Sequence, residues 1–436
     1  MLRFGLRFRN MWLVVVAAAT VRVTVSCPLS NLTGCRGALI KSALGSFPTA
    51  TAPDFMFSPS QMRPGATGGQ TLGIGPNVTT LIWTVSDSKT GLALNATVYY
   101  SLNTSGTALA DYPYNIEIPP TQSAGQKGGN GDTGEPILPS RRSNTLVLYH
   151  NGHEAHWLES ASKPLCVRPA VTGDDTATAS ANCWINYDTT LGWLNELGFD
   201  AMELNMPLRG PNNNGSLGTM SHKWFEQYEA AGAKTMRFFL NAVHLAINYA
   251  ETLGYTRVAM IGLSGGGWTT TVAAALDARI GLSIPVAGSI PFAMRTRHAG
   301  DPYHDLGDYE QLVARPMYAV CDYKCMYALA ALERGRNQVQ LLHEGDPCCF
   351  GAGARPSQGI TSTRHAEILA YNDEVASSAA AGRMCTSVTT GNVHEVNLRD
   401  KTIIALLLDA FDRGTLDDEH GNLCDALPFN VLRQWS

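Results

Sequence analysis

The stretch that most constrains this chain is residues 258–268, VAMIGLSGGGW. Gly265, Gly266 and Gly267 stand in a row behind a serine, between an apolar run and a segment of helical composition. Glycine inside a helix or strand costs roughly 0.5–1 kcal/mol relative to alanine. Such a run is tolerated where the backbone turns sharply or passes another backbone closely. RVAMIG (257–262) is short, apolar and suited to a buried strand, whereas TTTVAAALDARI (269–280) suits a helix. The glycines therefore mark a strand-to-helix turn with Ser264 at its apex.

The same two patterns alternate along the chain. TLVLYH (145–150), FDAMELNMP (199–207), IGLSIPVAG (280–288) and QVQLLH (338–343) read as buried strands. Residues 222–253 instead carry apolar side chains at three-to-four spacing, a long helical pattern. Strands alternating with helices predict an α/β fold with a mostly parallel central sheet and helices on both faces. Residues 78–103 add two β-branched and aromatic runs around Ser-Lys-Thr-Gly, the signal of an N-terminal antiparallel hairpin. The expected organisation is a signal peptide over 1–26, an irregular N-terminal arm over 27–77, and one α/β domain over 78–436 with a Gly/Pro-rich loop at 119–143. With 44% hydrophobic and 16% charged residues, the composition is globular and excludes a disordered chain.

A net charge of −5 gives no electrostatic case for nucleic acid or an anionic membrane as partner. Arg3, Arg7 and Arg9 precede an apolar run from Met11 to Val21, the pattern of a secretory signal and too short for a comfortable membrane span. The chain thus reads as exported, with no integral membrane segment once the signal is removed. N-x-[ST] sequons at Asn31, Asn77, Asn95, Asn103 and Asn214 agree with that route. So do ten cysteines, which in an exported chain point to disulfides. Spacing alone does not fix their connectivity. Cys27–Cys35 and Cys166–Cys183 are local pairings the sequence suggests.

GLSGG (262–266) is a G-x-S-x-G motif in the strand–turn–helix setting of a nucleophile elbow. Such an elbow exposes Ser264 Oγ at the carboxyl end of the sheet and sets a helix N-terminus beneath a developing oxyanion. A phosphate-binding loop is the rival, but no Lys follows the glycines and the G-x-G-x-x-G spacing is absent. A nucleophilic serine needs a base. His394 lies between an apolar stretch ending near Val388 and the helical LRDKTIIALLLDAF; His365 falls in a helical pattern and His343 at a strand end. For the acid that orients the base, Asp346 follows strand 338–343 between Gly345 and Pro347, with Glu344, Asp322 and Asp373 as competitors. A second oxyanion donor is expected from His150-Asn151-Gly152-His153, where a backbone N–H of Asn151, Gly152 or His153 would join that of Gly265. His150, His153, Glu154 and His156 also raise a metal-site reading, but their spacing matches no standard zinc motif and HExxH is absent. No metal or cofactor is expected.

The elbow, the loop 150–153 and the order Ser264, Asp346, His394 together resemble the α/β-hydrolase superfamily over about residues 78–412. The resemblance implies a secreted serine hydrolase that cleaves carboxylic esters through an acyl-enzyme on Ser264. His394 would then be the base, Asp346 its orienting acid, and Asn151, Gly152 and Gly265 the surroundings of the oxyanion. A serine peptidase of the same fold and a noncatalytic hydrolase-like binding module are the alternatives. The partner implied is an ester-type small molecule or polymer. Pocket walls are expected from 208–225 and 289–312, including Trp224, Phe292, Met294 and Tyr303.

Overall fold

Strands buried on both faces read as unbroken apolar runs, and the central strands of this chain are of that kind. The computed structural model describes residues 27–29, 32, 34–57, 78–103, 143–153, 188–212, 222–294, 308–346, 362–378, 381–389 and 394–416. Nine strands among them form one sheet: β1 (Phe55–Phe57), β2 (Val78–Ser86), β3 (Ala93–Ser101), β4 (Thr145–His150), β5 (Asp200–Leu204), β6 (Arg257–Leu263), β7 (Ile280–Val286), β8 (Asn337–His343) and β9 (Arg383–Thr389). Their order is β1-β2-β3-β5-β4-β6-β7-β8-β9. The first three are antiparallel to their neighbours, and β5, β4, β6, β7, β8 and β9 run parallel. The hairpin β2–β3 turns where the sequence places it: Asp87 Oδ1 accepts the N–H groups of Lys89 and Thr90, each at 3.1 Å, and Gly91 takes φ +70°.

Helices cover both faces. On one lie α1 (Cys35–Ala43), α4 (Arg237–Thr252), α5 (Gly265–Leu276), α7 (Tyr323–Ala330) and α8 (Ser362–Ser378), packed around Leu39, Phe239, Trp268, Met326 and Tyr371. On the other, α2 (Asp188–Glu196) and α9 (Leu398–Arg413) bury Leu194, Ile404, Leu408 and Phe411. The shorter α3 (Phe225–Ala230) and α6 (Pro316–Val320) are the other α-helices among the described residues. α9 starts with a capping box: Asn397 accepts from the Asp400 N–H while Asp400 accepts from that of Asn397, both at 3.0 Å. No helix among the described residues is long and apolar enough to cross a membrane.

Three sequence expectations change. The arm 27–77 is not simply irregular, because it contains α1 and β1. Arg36 ties α1 to the domain by donating to Ala275 O at 3.1 Å, to Leu329 O at 2.9 Å and to the Glu333 carboxylate. The helical pattern of 222–253 is broken, since Gly232 at φ +89° ends α3 before α4 begins. The helix after Ser264 begins at Gly265 rather than beyond the glycines and stops at Leu276. Cys27–Cys35 and Cys321–Cys325 are disulfide pairs, and Cys385 is buried and free. Residues 1–26, the loop 119–143, Cys166, Cys183 and the sequons at Asn31, Asn77 and Asn214 lie outside the described residues. Asn95 is exposed on β3, and Asn103 is partly exposed just past its end.

Candidate active site

Ser264 sits between β6 and α5 with φ 57° and ψ −120°. A non-glycine residue held there carries strain on the order of 1–3 kcal/mol, which only its surroundings can enforce. Its N–H donates to Val286 O at 2.9 Å, and its carbonyl accepts the Trp268 N–H at 2.9 Å. The glycines let three backbones meet here. A Cβ on Gly266 would stand 2.0 Å from His150 O, and one on Gly262 would stand 2.2 Å from Gly266 O. The third glycine, without a role in the motif, has one in the packing: a Cβ on Gly267 would meet Val286 O at 2.6 Å. Thr269, Thr270 and Thr271 bond back to the carbonyls of Gly265, Gly266 and Gly267, at 3.0, 2.9 and 3.1 Å.

The loop after β4 lies on the serine turn. A Cβ on Gly152 would be 2.9 Å from both Leu263 O and Ser264 Cβ. Asn151 is not free to serve as an oxyanion donor: its N–H extends the β4–β5 pairing to Leu204 O at 2.9 Å. Its side chain donates to Glu203 Oε1 at 2.7 Å and to Asn205 Oδ1 at 3.1 Å. The backbone donors left in that loop are those of Gly152 and His153. His150 is turned inward with Nδ1 2.7 Å from Asn151 O, and burial pushes its pKa down to about 4. Its ring is therefore neutral at pH 7, with the proton on Nδ1. Glu154 and His156 lie outside the described residues.

Asp346, fully buried just past β8, receives the ring of His394 from the loop after β9. His394 Nδ1 lies 3.0 Å from Asp346 Oδ1 and 2.9 Å from Oδ2. A carboxylate only accepts, so Nδ1 carries the proton and Nε2 presents its lone pair. Nε2 is buried and has no hydrogen-bond partner among the described residues. Ser264, Asp346 and His394 thus all follow parallel strands at the carboxyl edge of the sheet. The competitors are engaged elsewhere. His343 Nε2 pairs with Asp400 at 2.7 Å, Asp322 caps α7 by accepting the Cys325 N–H, Asp373 is exposed on α8, and His365 belongs to α8. The Glu344 N–H continues the sheet to Thr389 O at 2.9 Å.

Sequence reasoning missed Glu310, Asp308 and His222. Glu310 is wholly buried, with His153 Nε2 2.8 Å from its Oε1 and His222 Nδ1 2.9 Å from its Oε2. Asp308 Oδ2 lies 3.0 Å from the same His153 nitrogen. Burial works to raise the Glu310 pKa, but the two imidazoles outweigh it and hold the carboxyl far below its ordinary range. Burial likewise works to lower His153, but Glu310 and Asp308 raise it on balance. The His153 ring rests on the serine turn, where a Cβ on Gly265 would be 2.6 Å from its Cε1. Of the expected pocket walls, Trp224 packs on Phe225 and Tyr228, and Phe292 on Tyr318 and Tyr323; Met294 is buried. Tyr303 lies outside the described residues.

A mixed sheet whose strand order swaps β4 and β5, and whose next parallel strand ends in a strained serine turn, defines an α/β-hydrolase fold. Solved structures similar to this chain include an acetyl xylan esterase from a Paenibacillus species, at 13% identity and TM-score 0.39, over 78% of this chain and 86% of that one. Another is acetyl xylan esterase 1 from a Thermoanaerobacterium species, at 11% identity and TM-score 0.42, over 88% of this chain and 93% of that one. A third is a family 15 carbohydrate esterase, a glucuronoyl esterase from Caldicellulosiruptor kristjansonii, at 13% identity and TM-score 0.41, over 82% and 84%. No family model matches the chain, and no curated protein matches it in sequence.

Proposed function

We propose that the protein is a secreted serine hydrolase of carboxylic esters. His394 Nε2 takes the proton of Ser264 Oγ as the oxygen attacks the ester carbonyl carbon. The carbonyl oxygen becomes an oxyanion facing the Gly265 N–H at the start of α5, with a second donor from Gly152 or His153. Collapse expels the alcohol, which receives the proton from Nε2, and water repeats the sequence to release the acid. The observation that supports this reading is the Asp346–His394 pair, whose Nε2 has no hydrogen-bond partner among the described residues, while Ser264, held at positive φ, follows a parallel strand as His394 does. Export is supported by the signal-like N-terminus and the two disulfides among the described residues.

A panel of p-nitrophenyl acyl esters and chromogenic peptides, run on wild type and Ser264→Ala, tests the proposal. Esters should turn over with a pre-steady-state burst, and Ser264→Ala should lower kcat by up to about 10⁶. Undiminished ester turnover by Ser264→Ala would contradict it. Peptide cleavage without ester cleavage would favour the peptidase alternative.

A further inference from the structure

Beside the serine turn, four side chains from three separate chain segments converge: His153 after β4, His222 ahead of α3, and Asp308 and Glu310. His153, His222 and Asp308 offer ligand atoms that lie within 4.8 Å of one another. His222 Nε2 is 2.8 Å from Pro207 O. A carbonyl oxygen only accepts, so Nε2 carries a proton, and Nδ1 of a neutral ring is a bare lone pair. That lone pair faces a carboxylate oxygen of Glu310 at 2.9 Å, deep in the protein. Two acceptors at that separation require a positive centre between them, either a second proton or a metal ion.

We infer that this cluster is a binding site for a divalent transition-metal ion, zinc being the ion its donors suit best. Two imidazole nitrogens and two carboxylates form a set that zinc accepts, and two neutral histidines with two carboxylates balance its charge. Tetrahedral ligands at about 2.0–2.1 Å from the ion stand roughly 3.3 Å from each other. The three contacting pairs stand 2.8, 2.9 and 3.0 Å apart and the ligand atoms of His153, His222 and Asp308 lie within 4.8 Å of one another, so admitting the ion takes a modest rearrangement of the side chains around it. The contact from His222 Nε2 to Pro207 O is the kind of outer hydrogen bond that orients a metal-bound histidine. Four protein ligands close the site, which makes it structural rather than catalytic. Its position gives it work to do. Tyr318 OH donates to Glu310 O at 3.0 Å and accepts from Trp268 Nε1 at 2.7 Å, which links the cluster to α5. Bound metal would clamp the His153 ring, and with it the loop after β4, against Gly265.

The test is metal analysis by mass spectrometry on the secreted, dialysed full chain, a readout that involves no substrate. About one zinc per chain should remain, be stripped by a chelator with a fall in Tm, and return with added zinc salt. Cobalt loading should give the visible absorption of a tetrahedral site. His222→Ala should retain no zinc. Asp308→Asn removes a ligand whose side chain is 36% exposed, so it should fold, and its zinc affinity should drop at least tenfold. Zinc near background in folded wild type after zinc loading would overturn the inference and assign the gap to a second proton on His222. Equal zinc uptake by wild type and Asp308→Asn would overturn it as well. Should His222→Ala fail to fold, the Asp308→Asn affinity and cobalt spectrum decide.

Discussion

Replacing Gly266 with alanine probes the close approach on which the serine turn depends. The added Cβ would stand 2.0 Å from His150 O, 2.6 Å from His150 C and 2.7 Å from Asn151 O. A carbon and an oxygen rarely come closer than about 3.3 Å, so α5 and β4 must separate by more than about 1 Å. Both partners are backbone, and no side chain can swing aside. Overpacking of a buried site costs about 1–3 kcal/mol, and this case belongs at the upper end or beyond. With an unfolding entropy of roughly 2.1 cal/mol/K per residue, 3 kcal/mol corresponds to a Tm loss of about 3 °C for a chain of 436 residues. Activity should suffer more than stability, because a displacement of about 1 Å at the reacting groups costs around 10²-fold. Gly265→Ala is the informative comparison. Its Cβ would meet side-chain rather than backbone atoms, the His153 ring at 2.6 and 2.7 Å and Met206 Cε at 3.0 Å, but Glu310 and Asp308 hold that ring, so relief breaks those contacts and its Tm should fall as well. Gly34→Ala, with nothing within 4 Å, is the neutral control. Calorimetry and ester kinetics on the three variants decide the matter. If Gly266→Ala is as stable and active as Gly34→Ala, the reasoning about this turn is wrong.

Asp346→Asn should lower kcat by about 10⁴ while leaving the fold intact, because the amide no longer holds His394 in the required tautomer; a steady-state assay with matched circular dichroism checks this. An equal loss in Glu344→Gln with none in Asp346→Asn would move the acid to the neighbouring residue. Glu333 offers a pH test of stability. Burial works to raise its pKa, but hydrogen bonds from Arg36 and Arg336 outweigh it and hold the carboxyl at about 2, against 4.5 ordinarily. A lowered folded-state pKa means that this stabilisation is complete above pH 4.5 and is lost as pH falls toward 2. Glu333→Gln should therefore be less stable than wild type in urea at pH 6, and the gap should narrow by pH 3; a gap that widens toward acid would contradict the assignment.

The parallel strands and the serine turn were legible in the sequence because each is dictated locally. A strand buried on both faces has no choice but an apolar run, and Gly262 and Gly266 leave the chain little use except a crossing. What stayed hidden depends on register or on distant partners. Asn151 looked like a donor because a linear motif does not reveal that β4 pairs one residue further, to Leu204 O. The purpose of Gly267 lies in its approach to the end of β7, and α1 is held by Arg36 reaching residues more than 200 positions away. The cluster of His153, His222, Asp308 and Glu310 is assembled from segments as far as 157 residues apart, so no spacing rule could announce it. Asp346 and His394, 48 residues apart, were reachable because each follows a recognisable strand.

In the proposed mechanism Ser264 is a nucleophile activated by His394. A fluorophosphonate probe, followed by mass mapping of the labelled peptide, tests it directly. One adduct, on Ser264, is expected in wild type, none in Ser264→Ala, and strongly slowed labelling in His394→Ala. An unlabelled wild-type protein with a folded circular dichroism spectrum, or an adduct on another residue that persists in Ser264→Ala, would contradict it.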